Sequence, residues 1–546
     1  MALASEGAAC AAILAAQPND INALCGLGTA LLKQGEFAAA LKLFRRAVDL
    51  VPDCVEALTG QGECSLEVGD IEDARDCFEL ARAHAPESLP ALRGCGRLSR
   101  LSGDFNGPAA LFTEALAIAG PQSDLLFELG LALNGAGDTA GAMAAYEKAT
   151  AIDPSHLGAL VNLGLIFLSQ AADPVRAQKM FGRACHLHPE AVAAQANYGL
   201  ALQEQGYFTQ AIAHYDALLE KQPEVVEYRW NRALAYLYLG DYQRGWPDYE
   251  LRHLRGGRDI RRQFGLPEWN GVDAGDRRFL VYAEQGVGDE IMFASCLPQL
   301  IASAASVTID CDPRLATFFA RSFPRAIIYG RARGGDLEWM RQQPEFDAQI
   351  AIGSLPRWLR TSVDEFPRGA GYLLPDARRV QAWRQRLAGA STTPTVGLSW
   401  RGGTRKTRGG LRSLELVDLL PLAASGPRRF VCLQRGDCSA EIGMARAAGM
   451  SIDYWPGVLD DMEDTAALIA ALDLVVSVDN TIVHLAGAIG QPCWALLAHL
   501  PDWRYGLARE TMPWYPSLRL FRQTDERTWP PVVTAVAAAL SQLPVG

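Results

Sequence analysis

Apolar positions follow two rhythms along this chain. Up to about residue 250 they recur at helical spacing, in paired segments of which LGTALLKQGEFAAALKLFRRAVDLVPD (27–53) is the clearest. Beyond about residue 279 short continuous apolar runs alternate with amphipathic stretches such as DTAALIAAL. The runs FLVYA (279–283), SVTIDC (306–311), AIIYG (326–330) and AQIAI (348–352) predict one series of strands. TVGLSW (395–400), RRFVCLQ around 429–435, LDLVVSVD (472–479) and CWALLA (493–498) predict a second. Strands alternating with helices imply parallel sheets, and two series imply two lobes with a cleft between them.

The helical half repeats itself. Gly28, Gly62, Gly96, Gly130 and Gly164 are each 34 residues apart, and Ala47, Ala81, Ala115 and Ala149 keep the same step. Gly35, Gly69, Gly103 and Gly137, then Gly206 and Gly240, mark turns between helices, and Pro18, Pro52, Pro86, Pro121, Pro154, Pro189 and Pro223 mark unit boundaries. The fifth copy is irregular, with AADP at 171–174 in place of the glycine turn, and LGDYQRGWPDYELR reads as a closing cap. Period and pattern resemble the tetratricopeptide repeat, which implies a concave groove that holds a protein segment. Asn22, Asn162, Asn197 and Asn231 fall near equivalent places on the first helices and are candidates for holding peptide backbone, or plain helix-surface residues. Glycine, proline and charge dominate 253–278. We therefore expect repeats over 1–252, a linker over 253–278, a first lobe over 279–390 and a second over 391–546.

Composition narrows the class. A chain of 546 residues exceeds the ~250–300 at which single cores stop growing. A net charge of −11 argues against nucleic acid as a partner. Twelve cysteines without a C-x-x-C pair read as reduced, core-filling thiols. The N-terminus has no basic stretch of the signal-peptide kind, and no apolar run reaches the ~18–20 residues of a membrane span, so a cytoplasmic protein without a membrane anchor is expected.

Ligands of such sheets bind at the carboxyl ends of the strands. Three loops there carry chemistry. After the first strand, EQGVGDE (284–290) holds Gly286 and Gly288 but no lysine or arginine. It also lacks the third glycine of G-x-G-x-x-G, so it is not a phosphate cradle. Its Asp289 is either a general base or a helix N-cap, and Glu284 and Glu290 read as orienting or surface residues. After TVGLSW, RGGTRKTRGGLR (401–412) carries Arg401, Arg405, Lys406, Arg408 and Arg412 with Gly402 among four glycines. Five cations with no acid fit a diphosphate or other anion, or else a plain solvated basic loop. After LDLVVSV come Asp479, Asn480 and Thr481, either of the last two able to cap a helix, with His484 one turn in. Trp503 and Trp514 are candidates to stack on a sugar or base, and the D-x-D at 310–312 is the weak metal candidate.

SVDNTIVHLAGAIGQPCWALL resembles the nucleotide-sugar motif of bacterial heptosyltransferases of the GT-B fold, and EQGVGDEIMFASCLPQL resembles their N-lobe loop. The whole is most similar to tetratricopeptide-containing bacterial glycosyltransferases, some of which glycosylate flagellin, and its plan is similar to that of the O-GlcNAc transferases. The resemblance implies an α + α/β architecture: an all-α repeat solenoid, then a GT-B domain of two Rossmann-like lobes. It implies an inverting, metal-independent enzyme that needs no cofactor and takes a nucleotide sugar as donor. Asp289 matches the family's general base. Arg401, Lys406, Arg412, Asp479, Asn480, Thr481 and His484 would hold the donor, with Gly286, Gly288 and Gly402 shaping the loops. Flagellin is the acceptor it points to. Asn480 stands where many relatives have Ser or Thr, and the basic loop is richer in charge than is usual. Two other readings stay open: a catalytically inactive adaptor, and a glycan or lipopolysaccharide glycosyltransferase.

Overall fold

A glycine facing an aromatic ring underlies the 34-residue step. A Cβ placed on Gly28, Gly62, Gly96, Gly130 or Gly164 would lie 2.8, 2.9, 2.7, 2.4 or 2.6 Å from the ring of Phe44, Phe78, Phe112, Tyr146 or Phe181, each on the second helix of the same pair. The ring also reaches the next pair, since a Cβ on Gly60 would meet Phe44 at 2.4 Å and one on Gly94 would meet Phe78 at 2.2 Å. Phe44 and Phe78 are therefore each packed between two helices that only glycine lets come so close. The turn glycines have a separate cause: Gly69 and Gly137 close the helices Val55–Val68 and Ser123–Ala136 at φ 86° and 87°, in the left-handed region.

The computed structural model describes residues 2–104, 107–169, 173–255, 261–262, 264–331, 339–340, 345–369, 371–388, 393–403 and 409–544. They form two units, one up to Ala201 and one from Leu202 onward. Among the described residues of the first, the regular elements are all helices. Among the described residues no helix is long and apolar enough to cross a membrane.

The second unit contains two parallel sheets. The first has the order β3-β2-β1-β4, with β1 (Arg278–Tyr282), β2 (Ser306–Cys311), β3 (Ile327–Gly330) and β4 (Ala348–Ala351). The second has the order β10-β9-β8-β5-β6-β7, with β5 (Thr395–Ser399), β6 (Arg429–Cys432), β7 (Ile452–Asp453), β8 (Leu474–Val478), β9 (Cys493–Leu497) and β10 (Leu518–Arg522). Every pairing is parallel. The central strands are buried along their length, which is why they read as unbroken apolar runs. Both orders are doubly wound, with chain direction reversing at the β1/β4 and β5/β8 borders, where crevices form at the strand ends. Sequence reasoning missed β7 and β10. The expected linker is partly structural: Glu268 bridges to Gln349 beside β4, and the buried Trp269 packs edge-on against Phe279.

The closing segment LGDYQRGWPDYELR is no polar cap. Its Trp246 and Tyr249 are buried against Trp503, with ring centroids 5.5 and 5.7 Å apart, and Trp246 Nε1 donates to the carbonyl of Arg360 at 2.7 Å. Beside them Arg252 is 1% exposed. It donates to both carboxylate oxygens of Glu284 at 3.1 Å, to Glu250 at 2.8 Å and to Ser354 at 2.7 Å. Burial opposes the Arg252 charge, but Glu284 and Glu250 outweigh it and raise its pKa. Glu284 also accepts the Gly353 N–H at 3.1 Å, so it is a buried anchor between the loops after β1 and β4, not a surface residue. Breaking a buried ion pair by removing one partner typically costs about 3–5 kcal/mol. Arg252→Ala is expected to destabilise the second unit by that order. All 12 tryptophans lie beyond residue 201, so denaturant unfolding followed by tryptophan fluorescence reads that unit.

Candidate functional site

The loop after β1 enters the helix Val287–Phe293, and Asp289, its third residue, reaches back to accept the Gly286 N–H at 3.2 Å. The other oxygen of Asp289 meets Arg504 of the second lobe at 2.6 Å. Asp289 is thus both a helix-start acceptor and a charged group at the border of the lobes. Arg504 is held from the other side by Asp502 at 2.6 Å and lies over the Trp503 ring at 4.6 Å. Burial opposes its charge, but Asp289 and Asp502 raise its pKa well above the ordinary value. Burial pushes Asp502 up, and Arg504 more than reverses this, so its pKa falls.

The helix Thr481–Ile489 lies directly against this loop. A Cβ on Gly288 would come 3.2 Å from His484 and 3.7 Å from the Thr481 hydroxyl, so a glycine there allows the close approach. His484 is buried, with Nδ1 3.1 Å from the Tyr515 hydroxyl. Burial lowers its pKa to about 4, with Asp289 the largest opposing influence, and the ring is neutral at pH 7.

Asn480 caps that helix: its Oδ1 accepts the Ile482 N–H at 2.9 Å, while its Nδ2 donates to Ser399 at 2.8 Å and to the Arg401 carbonyl at 3.1 Å. The amide ties the ends of β5 and β8 together, which neither Ser nor Thr could do with a single hydroxyl proton. Asp479 is buried, accepts from the Tyr505 hydroxyl at 2.8 Å and pairs with Arg412 at 3.2 Å. Burial raises its pKa, against the pull of Arg412. Gly402 is packed so closely that a Cβ would lie 2.4 Å from the Asp479 carbonyl.

Arg401 turns away from this group. It pairs with Glu441 at 2.7 Å and donates to Cys438 Sγ at 3.4 Å, and its side chain is 42% exposed. Lys406, with Arg405 and Arg408, lies outside the described residues. The structure therefore brings together Gly286, Gly288, Asp289, Thr481 and His484 at the lobe border. It places Gly402, Arg412, Asp479 and Asn480 at the β5/β8 crevice, and leaves Arg401 to one side. Trp503 and Trp514 are 4% and 1% exposed in an aromatic cluster, so they are core, not stacking platforms. Asp310 of the D-x-D is buried between Arg262 at 2.8 Å and Arg331 at 2.6 Å. Among the described residues no three His, Cys, Asp or Glu side chains are grouped to hold a metal. Glu290 is buried rather than on the surface, and burial raises its pKa to about 8. In the repeats, Asn162 donates to the Gly158 carbonyl of its own helix at 2.9 Å.

Arg504, Asp502 and Tyr505 were not foreseen. DWRYG offered a signal, an acid and an arginine two residues apart among aromatics, but nothing in it names Asp289, more than 200 residues earlier, as the partner.

Comparison with known proteins adds the following. The tetratricopeptide repeat family matches residues 25–88, 102–157 and 199–259. Protein FlbA of Caulobacter vibrioides is 31% identical over 392 residues, which is 68% of this chain and 65% of that protein. The match thus spans under two thirds of the relative's length. The solved Cut9–Hcn1 hetero-tetramer of the APC/C is similar with a TM-score of 0.40 and 19% identity, covering 47% of this chain and 51% of that one. A solved tetratricopeptide protein of Thermus thermophilus gives 0.30 and 21%, covering 34% and 100%. The helical part is an array of tetratricopeptide repeats, and such repeats serve protein interaction.

Two expectations test this geometry. Gly402→Ala forces a methyl against a backbone carbonyl, and a loss of about 1–3 kcal/mol in the stability of the second unit is expected by denaturant titration. The depressed His484 pKa means that between 6.5 and about 4 the unfolded chain binds a proton the folded one does not, so this group's contribution falls as pH drops through that window. The slope approaches about 1.4 kcal/mol per pH unit for a full proton. Glu290, raised from 4.5 to about 8, contributes the opposite slope as pH rises between those values. The His484 share is therefore read as the difference between the wild type and His484→Asn, which is expected to be less destabilised by acid.

Proposed function

We propose that the second unit is a GT-B-type glycosyltransferase that moves a sugar from a nucleotide-sugar donor to a protein recruited by the repeats, with flagellin as the acceptor to test first. The observation that carries this reading is the convergence at the lobe border: Asp289 from the β1 loop of one doubly wound lobe faces Arg504, Thr481 and His484 of the other. The β5/β8 crevice with Arg412 and the helix start at Asn480 supports a phosphate-binding role for the second lobe. The family resemblance of the two motifs supplies the reaction class.

In this reading the acceptor hydroxyl oxygen attacks the anomeric carbon and the bond from that carbon to the phosphate oxygen breaks. The nucleoside phosphate leaves with the electron pair, and the hydroxyl proton passes to Asp289. One displacement inverts the anomeric centre. Each Asp289 oxygen already accepts one hydrogen bond, from Gly286 or Arg504, and a carboxylate oxygen has a second lone-pair direction for the hydroxyl. Arg412, and Arg504 if the leaving phosphate draws it, would offset the charge developing there, usually the largest catalytic effect. No metal or cofactor is needed in this scheme.

The test is intact-mass analysis of flagellin incubated with the full chain and a panel of nucleotide sugars. Transfer by the wild type is expected, and Asp289→Asn should slow it by about 10²–10⁴-fold while nucleotide binding, measured by calorimetry, persists. Acceptor capture with no mass shift for any donor would instead favour the adaptor reading. Transfer to glycan but not to protein would favour the lipopolysaccharide type.

A further inference from the structure

The two ring nitrogens of His484 are differently placed. Nδ1 lies 3.1 Å from the Tyr515 hydroxyl. Nε2 forms no hydrogen bond or ion pair among the described residues, yet it is not one of the enclosed polar atoms that lack a partner, so it reaches open space. The carbon bonded to it, Cδ2, is the ring atom that faces Gly288 across the lobe border, where a Cβ on the glycine would lie 3.2 Å away. Nε2 therefore opens beside the loop after β1. Asp289 on that loop spends its oxygens on the Gly286 N–H and on Arg504 and does not bond the ring.

The neighbouring hydroxyls decide which nitrogen carries the proton. The Tyr372 hydroxyl lies 2.6 Å from the Ile291 carbonyl, and a carbonyl only accepts, so Tyr372 donates there. A phenol has one proton to give. In the bond between the Tyr372 and Tyr515 hydroxyls, Tyr515 is then the donor. With its own proton committed, Tyr515 accepts from His484, which makes Nδ1 the N–H. The ring is neutral at pH 7, so Nε2 is left with a lone pair. A lone pair repels phosphate oxygens and accepts from a hydroxyl. His484 also lies one turn beyond Asn480 and Thr481, where the helix start favours the phosphate itself.

We propose that His484 Nε2 accepts a hydrogen bond from a hydroxyl of the donor's sugar, not from its phosphates, and that Tyr515 and Tyr372 are positioning residues that hold the ring in this tautomer. The assignment rests on the glycosyltransferase reading. It gives the histidine a part in choosing the sugar, separate from the arginines that would hold the leaving group.

Two measurements on the full chain test it. Nitrogen NMR of protein with isotope-labelled histidine, the His484 signals being those lost in His484→Phe, is expected to show a protonated Nδ1 and a bare Nε2 at pH 7. Tyr515→Phe keeps the ring but removes the hydroxyl, and should move part of that proton to Nε2, which a merely structural role would not do. Calorimetry then compares a panel of nucleotide sugars with their nucleoside diphosphates. His484→Phe should weaken the tightest nucleotide sugar by about tenfold, the size of one lost hydrogen bond in a desolvated site, and leave its diphosphate unchanged. Tyr515→Phe should weaken the nucleotide sugar severalfold, again without affecting the diphosphate. The proposal is overturned if Nε2 carries the proton in the wild type, if Tyr515→Phe leaves the tautomer as it was, or if His484→Phe loses both ligands alike or neither. If no nucleotide sugar binds the wild type, the glycosyltransferase reading falls and the sugar hydroxyl falls with it.

Discussion

The contact on which the second unit's site depends is the buried pair of Arg252 and Glu284. Its partners come from three places: the end of the repeat array, the loop after β1 and the loop after β4. Two charges taken out of water are tolerated only when their remaining hydrogen-bonding positions are filled, and here Glu250, Ser354 and the Gly353 N–H fill them. A Cβ on Gly353 would sit 2.4 Å from Glu284, so even that backbone approach depends on a missing side chain. Because Glu284 begins EQGVGDE, the pair fixes where Gly286, Gly288 and Asp289 start. The turn Glu250–Leu254 that ends the repeat array is therefore part of the frame of the candidate site and not a spacer in front of it.

Charge in the site is arranged in opposed pairs: Asp289 with Arg504, Asp502 with Arg504, and Asp479 with Arg412; Arg401, to one side, is likewise paired, with Glu441. In the proposed reaction an incoming phosphate would compete with these carboxylates, so binding would be an exchange of partners rather than neutralisation of bare cations. Such exchange favours ligands of higher charge over monoanions. It also links the events of the proposed reaction, since drawing Arg504 toward a phosphate loosens its hold on Asp289.

The legible parts of this chain were those whose cause is local. The glycine–aromatic packing recurs in five successive pairs and leaves a fixed period, and the central strands, buried on both faces, leave continuous apolar runs. The strand β10 escaped because LRLFR alternates buried Leu518 and Leu520 with exposed Arg519, and β7 because it is two residues long. The basic loop was legible as charge but not as geometry: Arg401 and Arg412, eleven residues apart, pair with different acids. Asn480 looked like a departure from a motif and is explained by bonds to Ser399 and Arg401, some 80 positions away in sequence. Arg504 and the buried role of Glu284 were hidden because their partners come from distant segments.

The acidic glycine loop now has a consistent physical account. In a phosphate cradle, glycines expose backbone N–H groups to an anion. Here the Gly286 N–H is taken by Asp289, and Gly288 is pressed against His484 and Thr481. The glycines serve the meeting of two lobes, and the acid that follows them meets an arginine instead of a ligand phosphate. A lysine at this place would meet Arg504 and leave Asp502 as the only balancing acid. The sign of the loop's charge thus follows from the second lobe, which already supplies the cations.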